Sequence, residues 1–142
     1  MRYLLDTNFV SELIRTNVNE AVSRWSEGQW PRDQAISVVT LGEIRYGLEL
    51  MSPGRRREAL ETAVRFTLPA RFGDRLLSVG PEVADIYGRL LGEGRRIGVE
   101  VGDRDLLIAA TALFHDLTVV TRNVSHFAPF GVSFLNPWTF EV

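Results

Sequence analysis

The sequence predicts an α/β fold in which a parallel sheet of about five strands is flanked by helices. Three observations support this prediction. Short apolar stretches alternate along the chain with segments whose apolar residues recur at helical spacing. Glycine and proline separate most of these segments. The 142 residues show no repeat or linker and suit one domain. Strands that alternate with helices form parallel sheets covered on both faces.

Five stretches have the length and composition of strands. The first is an apolar run that starts at Arg2 or Tyr3 and ends abruptly at Asp6. The others span residues 35–39, 76–79, 117–121 and 132–135. At the carboxyl end of a parallel strand a side chain faces the crevice where such sheets bind ligands, so Asp6 draws attention. A turn or a helix cap is the simpler explanation for a single aspartate.

Helical spacing predicts helices at residues 7–14, 19–27, 40–51, 55–66, 81–91 and 103–114. Thr7 or Asn8 is placed to cap the first helix, and Thr40 with Glu43 matches a capping box for the third. The last helix is apolar nearly all round, which predicts that it is buried. Residues 92–102 are interrupted by glycine, and we expect a mobile loop there.

Composition excludes several classes of site. The chain has no cysteine, which rules out disulfides, thiolate zinc sites and cysteine nucleophiles, and it has only two histidines. No apolar stretch reaches the length of a membrane span, so we expect a cytoplasmic protein without a membrane partner. The net charge is −2, although all sixteen basic residues are arginine, the residue that best matches phosphate geometry.

Three separated acids occupy comparable places. Asp6 ends the first strand, Glu43 follows the second strand, and Asp105 opens the buried helix. Parallel topology brings the ends of such strands to one edge, where clustered carboxylates repel one another unless a cation neutralises them. Oxygen ligands favour Mg²⁺ or Mn²⁺. The alternative is structural: Glu43 completes the capping box, and Asp103 or Asp105 caps its helix or complements the helix dipole.

Several motifs in this order resemble the PIN-domain ribonucleases, and closely the VapC-type toxins of bacterial type II toxin–antitoxin pairs, including the FitB-like branch. They are LLDTN at 4–8, SVVTLGEIRYG at 37–47, DLLIAA at 105–110, VTRN at 120–123 and NPW at 136–138. The resemblance covers residues 1–142 as one PIN domain. It implies a homodimer, an RNA substrate such as tRNA, a VapB-type antitoxin partner, and Mg²⁺- or Mn²⁺-dependent endonucleolytic cleavage.

The resemblance also assigns roles to residues. Asp6, Glu43 and Asp105 match the family's catalytic and metal-binding acids. A fourth acid often follows strand four, but this chain has Asn123 there, which puts a second metal in doubt. The polar residues that match positions around the site are Thr7, Asn8, Thr121 and Asn123. The arginines expected to hold RNA are Arg122, Arg45, Arg95 and Arg96, with the turn at 55–57 as a further candidate.

Other residues receive no catalytic role from the sequence. We expect His115 at a helix end and His126 in a turn, neither of them catalytic. Trp25 and Trp30 are candidates for core packing or for a groove that binds a partner peptide. Two alternatives remain: a catalytically silent RNA-binding or scaffold module, and a phosphatase that begins with an aspartate nucleophile. The second lacks support, because Asn8 replaces the second acid of its Asp-x-Asp motif and the chain has no lysine.

Overall fold

The computed structural model describes residues 1–140. Its strands are β1 (Tyr3–Leu5), β2 (Gln34–Ser37), β3 (Leu76–Leu77), β4 (Thr118–Val120) and β5 (Phe134–Leu135). Its α-helices are α1 (Thr7–Ile14), α2 (Glu20–Glu27), α3 (Val38–Glu49), α4 (Arg55–Thr62), α5 (Leu68–Phe72), α6 (Pro81–Ile97) and α7 (Asp103–His115). In these residues no helix combines the length and apolar character needed to cross a membrane.

All five strands form one parallel sheet, as predicted, in the order β3-β2-β1-β4-β5. The central strand is β1, in which Leu4 pairs with Ala35 on one side and with Val119 on the other. The chain first winds outward from β1 to β3 and then returns to place β4 on the opposite side of β1. The direction of winding therefore reverses between β1 and β4, the position where open α/β sheets bind ligands at the carboxyl ends of the strands.

Alternation along the strands divides the interior into two cores, one on each face of the sheet. One core contains Leu4, Ala35, Val119, Leu90 and Ile108, and the other contains Leu5, Ile36, Val120, Phe9 and Trp25. The first is covered by α6 and α7, and the second by α1, α2 and α5. Each fully buried large apolar side chain contributes about 1.5–3 kcal/mol. Helix α7 is buried as predicted, which fixes the register of its first turn at the edge of the sheet.

The mobile loop predicted at 92–102 is wrong for its first half, because α6 continues to Ile97. Glycine interrupts the apolar pattern without ending the helix. Gly94 is buried, and a Cβ there would lie 3.1 Å from the Val99 carbonyl oxygen and 3.5 Å from the Phe130 ring. The absence of a side chain therefore allows close packing of the helix. It is Gly98, with φ of 73°, that ends α6.

The capping box predicted at Thr40 and Glu43 is also wrong. Helix α3 begins earlier, at Val38, and its N-cap is Ser37, whose side-chain oxygen accepts a hydrogen bond of 3.0 Å from the Val39 amide. The β-branched side chains of Val38 and Val39 favour a strand, but Ser37 caps the helix just before them, so both residues lie in the first turn of α3. Glu43 lies in the second turn and has no capping role, which frees its carboxylate for other contacts.

The fourth helical segment differs in length and shape from the prediction of residues 55–66. Helix α4 ends at Thr62 and passes through a π-helical turn at Ala63–Thr67 into α5. Pro69 lies in the first turn of α5. Strands β2 and β3 end earlier than predicted, at Ser37 and Leu77.

Candidate active site

Asp6 lies where β1 ends and α1 begins, next to the end of β4. Its backbone amide donates a 2.9 Å hydrogen bond to the Val120 carbonyl oxygen, which joins the two strands at this point. Its carboxylate is also the N-cap of α1, because Oδ1 accepts a 2.8 Å bond from the Thr7 amide. The capping explanation is therefore correct as far as it goes. It leaves Oδ2 and the burial of Asp6, at 2% exposure, to be explained.

The second carboxylate oxygen of Asp6 is held by two side chains. Thr121 Oγ1 donates to Oδ2 at 2.7 Å, and Asn8 Nδ2 donates to it at 3.1 Å. Asn8 in turn accepts a 3.1 Å bond from the Arg122 amide, and Thr121 Oγ1 accepts a 2.9 Å bond from the Asn123 amide. Of the four polar residues predicted around the site, Thr7, Asn8 and Thr121 bind Asp6 directly. Asn123 does so only indirectly, because its backbone amide donates to Thr121.

Burial raises the pKa of Asp6 from 3.8 to about 6. The hydrogen bonds from Thr121 and the Thr7 amide oppose this rise, while the charges of Asp105 and Glu43 add to it. Desolvation is the largest cause, which means that burial in the fold destabilises the charged form of this carboxyl group. A carboxylate kept buried beside two others is the electrostatic arrangement expected of a site that takes a cation.

Glu43 projects from α3 toward the beginning of α1. Its Oε1 accepts a 3.0 Å hydrogen bond from Thr7 Oγ1, and that hydroxyl also lies 3.1 Å from Thr40 Oγ1. Burial raises the pKa of Glu43, the Thr7 bond and the Arg104 charge lower it, and Asp105 raises it again. Thr7 therefore links the first two acids: its amide binds Asp6 and its hydroxyl binds Glu43.

Asp105 is the third residue of α7, and it is not the cap of that helix. The N-cap is Gly102, which offers no side chain, so the capping explanation for Asp103 and Asp105 is wrong. Both acids do lie in the first turn of α7, where a negative charge complements the helix dipole. Asp103 instead interacts with Tyr87 of α6, whose pKa is raised by burial and then by this contact. Asp105 Oδ2 lies 2.6 Å from His126 Nδ1. The sequence predicts His126 in a turn without a catalytic role, although its place just after β4 puts it at the same edge of the sheet.

The three acids are close enough to influence one another, since Asp105 raises the pKa of both Asp6 and Glu43. Within residues 1–140, no three acidic or histidine side chains are already drawn together as the ligands of one ion. Each carboxylate is instead held by a hydrogen-bond donor. The group nevertheless fits a hard divalent cation: the donors are carboxylate oxygens, one of them is deeply buried, and Mg²⁺ needs only a few protein ligands.

A family model described as the PIN domain matches residues 3–128, almost the whole chain. The chain belongs to the PIN-domain family. Among its relatives, the toxin FitB of Neisseria gonorrhoeae is 35% identical over 95% of this chain and 97% of its own length. The VapC ribonuclease Y4jK of Sinorhizobium fredii is 32% identical over 95% of this chain and 96% of its own length.

Solved structures show the same fold. The crystal structure of FitAcB from Neisseria gonorrhoeae contains a chain with a TM-score of 0.89 and 34% identity, covering 97% of this chain and 99% of that one. VapBC-5 of Mycobacterium tuberculosis, a member of the VapBC family of toxin–antitoxin systems, gives a TM-score of 0.69 at 25% identity, covering 95% and 98% of the two chains. The single PIN fold is therefore confirmed.

The arginines around the acids of this PIN domain are not all those predicted. Arg104, which was not among the predicted arginines, places its guanidinium 4.0 Å from Glu43 Oε2 and 5.8 Å from the centre of the Tyr46 ring. Arg122 stacks on Trp138 at 4.5 Å, beside the Asp6 web. Arg45 instead pairs with Glu61 and Glu49.

Arg95 and Arg96, also predicted to bind substrate, lie in the last turn of α6. No ion pair or hydrogen bond joins either of them to the three acids within residues 1–140.

A groove of about 960 Å³ opens beside the acids of the PIN domain, between α1, α3 and α4. Thr7 and Glu43 line one end of it. Its other walls combine apolar and basic residues, including Ile14, Leu48, Met51, Leu60, Arg15, Arg55 and Arg56. Trp25 and Trp30 were candidates for a partner groove, but neither lines this one. Trp25 is buried in the core against Phe9, and Trp30 is 65% exposed beside Arg32.

Proposed function

We propose that this PIN domain is a divalent-metal-dependent endoribonuclease that acts as the toxin of a toxin–antitoxin pair. The observation that carries the proposal is Asp6, a buried carboxyl group at the reversal point of the sheet whose pKa is raised to about 6 by burial and in part by the charges of Asp105 and Glu43. Burying a carboxylate among other acids is costly, and a cation at this position offsets the cost. Two relatives carry the names toxin FitB and VapC ribonuclease.

Asp6, Glu43 and Asp105 are the residues that hold Mg²⁺ or Mn²⁺ in this proposal. When bound, the ion supplies Lewis acidity for attack of water on a phosphodiester and offsets the charge that develops on the phosphate oxygens. Thr7, Asn8 and Thr121 hold the carboxylates in place by the hydrogen bonds described above. Because Asn123 replaces an acid, one metal per site is the simpler expectation. The products carry a 5′-phosphate and a 3′-hydroxyl.

Recognition of RNA falls to the arginines at the mouth of the site. Arg104 lies 4.0 Å from Glu43, and Arg122 follows Thr121, which donates to Asp6, and stacks on Trp138. Arginine binds phosphate oxygens in a bidentate fork, so these two residues fit the phosphates that flank the cleaved bond. Structured RNA, with tRNA first, is the proposed substrate class, and its cleavage places the activity in the cytoplasm.

The experiment is a cleavage assay with the purified chain freed of any partner. Total RNA is incubated with Mg²⁺, Mn²⁺ or EDTA, and sequencing of new 5′-phosphate ends identifies the target. Asp6→Asn removes a ligand, and Asp103→Asn is the matched control, because Asp103 is a neighbouring acid that contacts Tyr87. We expect metal-dependent cleavage that Asp6→Asn abolishes and Asp103→Asn retains. If neither metal supports cleavage while Asp6→Asn still binds RNA as the parent does, the chain is a silent RNA-binding module.

We further propose that a VapB-type antitoxin segment occupies the groove between α1, α3 and α4, in a homodimeric toxin. The apolar walls suit an amphipathic segment, and Arg15, Arg55 and Arg56 suit acidic groups on it. A positive group at the Glu43 end of the groove would compete with a metal for the acids, which explains inhibition. The structure of VapBC-5, from a toxin–antitoxin family, is consistent with such a pair.

Gly47 offers a test of the groove. It lines the groove, and a Cβ there meets nothing within 4 Å, so a large side chain extends into the groove without disturbing the fold. Gly47→Phe should weaken binding of the cognate VapB-type antitoxin by at least about tenfold. Gly88→Phe, on an exposed and equally open position of α6, is the matched control. Equal binding by both variants would contradict this location for the partner.

A further inference from the structure

The contact between His126 and Asp105 joins the turn after β4 to the first turn of α7. His126 Nδ1 lies 2.6 Å from Asp105 Oδ2, although the residues are 21 positions apart in sequence. An ionised carboxylate has lone pairs and no hydrogen, so the hydrogen in this bond comes from Nδ1. His126 therefore donates to Asp105, and the two groups form a directed contact between separate elements.

The turn that carries His126 is itself firmly held. Its backbone amide donates a 3.1 Å bond to the Asn123 carbonyl oxygen, and the next residue, Phe127, is fully buried in the core. At its start, Thr121 donates to Asp6. A single short segment, residues 121–127, thus contacts two of the three acids, Asp6 through Thr121 and Asp105 through His126. The ring of His126 is placed by the backbone and is not a free surface side chain.

The position of the Asp105 side chain depends on a single hydrogen bond, whereas Asp6 and Glu43 each have more than one partner. Asp6 receives hydrogen bonds from Thr7, Asn8 and Thr121. Glu43 receives one from Thr7 and is reached by Arg104. Within residues 1–140, the Asp105 carboxylate has His126 as its one hydrogen-bond donor, and only Oδ2 is engaged. Without His126, rotation of this side chain in the first turn of α7 is opposed by no hydrogen bond.

We propose that His126 is a positioning residue that fixes Asp105 through Oδ2 and so presents Oδ1 to a divalent cation. This inference rests on the proposed metal-dependent function and names a residue that acts through a ligand without touching the ion. Groups that orient metal ligands in this way typically change metal affinity by about 10- to 100-fold when removed. The effect should appear in the binding of metal itself, before any RNA is present.

The test is calorimetric titration of the full chain with Mn²⁺ in the absence of RNA. His126→Leu removes the donor, whereas His126→Asn keeps an N–H donor at a similar distance from the backbone. His115→Leu is the matched control, since His115 is the other histidine and lies at the end of α7. We expect His126→Leu to weaken Mn²⁺ binding at least about tenfold, His126→Asn to restore most of the loss, and His115→Leu to bind as the parent does.

The side chain of His126 is 45% exposed, so its substitution should leave the fold intact, and thermal unfolding without metal checks this. Unchanged Mn²⁺ affinity in a folded His126→Leu protein would overturn the proposal. In cleavage assays, His126→Leu should lose activity at limiting Mn²⁺ and regain it at saturating Mn²⁺, with KM for RNA unchanged. A rise in KM with no shift in the metal requirement would instead make His126 an RNA-binding residue and overturn the inference.

A spectroscopic measurement gives an independent answer. The chain has two histidines, so its imidazole nitrogen spectrum is simple and His115→Leu assigns it. Substoichiometric Mn²⁺ should broaden the His126 ring signals and spare those of His115. Equal broadening of both rings would contradict the placement of the ion beside Asp105. Because both binding readouts omit RNA, a His126-dependent Mn²⁺ site in a chain that cleaves no RNA would support this inference and overturn the proposed function alone.

Discussion

At the scale of single residues, Asp6 lowers the stability of the metal-free fold when it is ionised. It is buried among donors, with a pKa of about 6 in place of 3.8. The folded state therefore binds its proton more tightly than the unfolded chain does. Stability of the metal-free protein should fall as pH rises through this window and level off above about pH 6, by up to about 3 kcal/mol. Below this pH window Asp6 is protonated, and the protein regains the stability that burial of the charged carboxylate costs.

Asp6→Asn should remove this dependence. The amide is neutral and keeps an oxygen for the Thr7 amide, although its NH2 replaces the oxygen that accepts from Thr121 and Asn8. In EDTA the stability of the variant should therefore not change with pH through this window, and the variant should not cleave RNA. Urea unfolding at several pH values measures the effect. An unchanged slope in the variant would show that another group, such as Glu43, is responsible.

Thr121→Val tests the web around Asp6. Thr121 Oγ1 donates to Asp6 and accepts from the amide of Asn123, and valine keeps the shape but neither bond. We expect cleavage and Mn²⁺ affinity to fall by about tenfold or more. The matched control is Thr111→Val, a fully buried threonine of α7 whose hydroxyl binds only the Leu107 carbonyl oxygen at 2.8 Å. If both variants lost cleavage activity and Mn²⁺ affinity to the same extent, the loss would come from general core packing and not from the hydrogen bonds of Thr121.

The residues of the site differ in how visible they are in the sequence. Asp6, Glu43 and Asp105 stand beside apolar elements, where a charge needs a reason. Arg104 and His126 have no such contrast: one lies between two aspartates and the other lies in a polar turn. Their roles depend on the distance between elements that are far apart along the chain, and no local pattern encodes that distance. Arg45 shows the converse, because its pairing with Glu61 becomes visible only when α3 and α4 are packed.

At the scale of elements, α6 shows why glycine is ambiguous in a sequence. Gly88 and Gly94 lie on the same helix, but a Cβ at Gly88 meets nothing within 4 Å, whereas one at Gly94 lies 3.1 Å from a carbonyl oxygen. The sequence pattern predicted the helix as far as residue 91 but not its continuation to Ile97. That continuation includes Gly94, which packs against Phe130 and Val99, and these contacts are visible only in the structure. The same holds for α3, where a single Ser37 cap overrides two β-branched residues.

These two glycines make a matched pair. Gly88→Ala should stabilise the protein by about 0.5–1 kcal/mol, since alanine is the better helix former at an exposed site. Gly94→Ala gains the same propensity but forces the Val99 carbonyl or the Phe130 ring to move, and it should be less stable than Gly88→Ala by about 1–3 kcal/mol. Urea denaturation of both variants decides. A Gly94→Ala protein as stable as Gly88→Ala would show that the α6 contact is easily relaxed.

At the scale of the whole molecule, the parallel sheet follows from physical rules more directly than the strand order or the side-chain contacts do. Alternating strands and helices predicted the parallel sheet and its strand count, and crossover rules brought the strand ends to one edge. The reversal of winding between β1 and β4 needed the structure, since the sequence does not state on which side of β1 the fourth strand pairs. That pairing is what sets Asp6 beside Thr121.

Metal binding should be visible as stability of the whole fold. An ion that binds only the folded state adds about 2.7 kcal/mol when Mn²⁺ is at about 100 times its Kd, which is on the order of 5 to 10 °C in Tm. EDTA should reverse the gain, and Asp6→Asn should show none of it. A parent protein whose Tm ignores Mn²⁺ and Mg²⁺ would contradict the proposed site, and a gain retained in Asp6→Asn would move the ion elsewhere.

The position of β4 has a consequence for synthesis. The strand that pairs with β1 on the side opposite β2, together with Thr121 and His126, is synthesised after the three acids. A nascent or prematurely terminated chain already carries Asp6, Glu43 and Asp105, yet it lacks the neighbour that orders them. A nascent chain that has not yet reached residue 127 therefore holds the three acids without the hydrogen bonds that order Asp6 and Asp105.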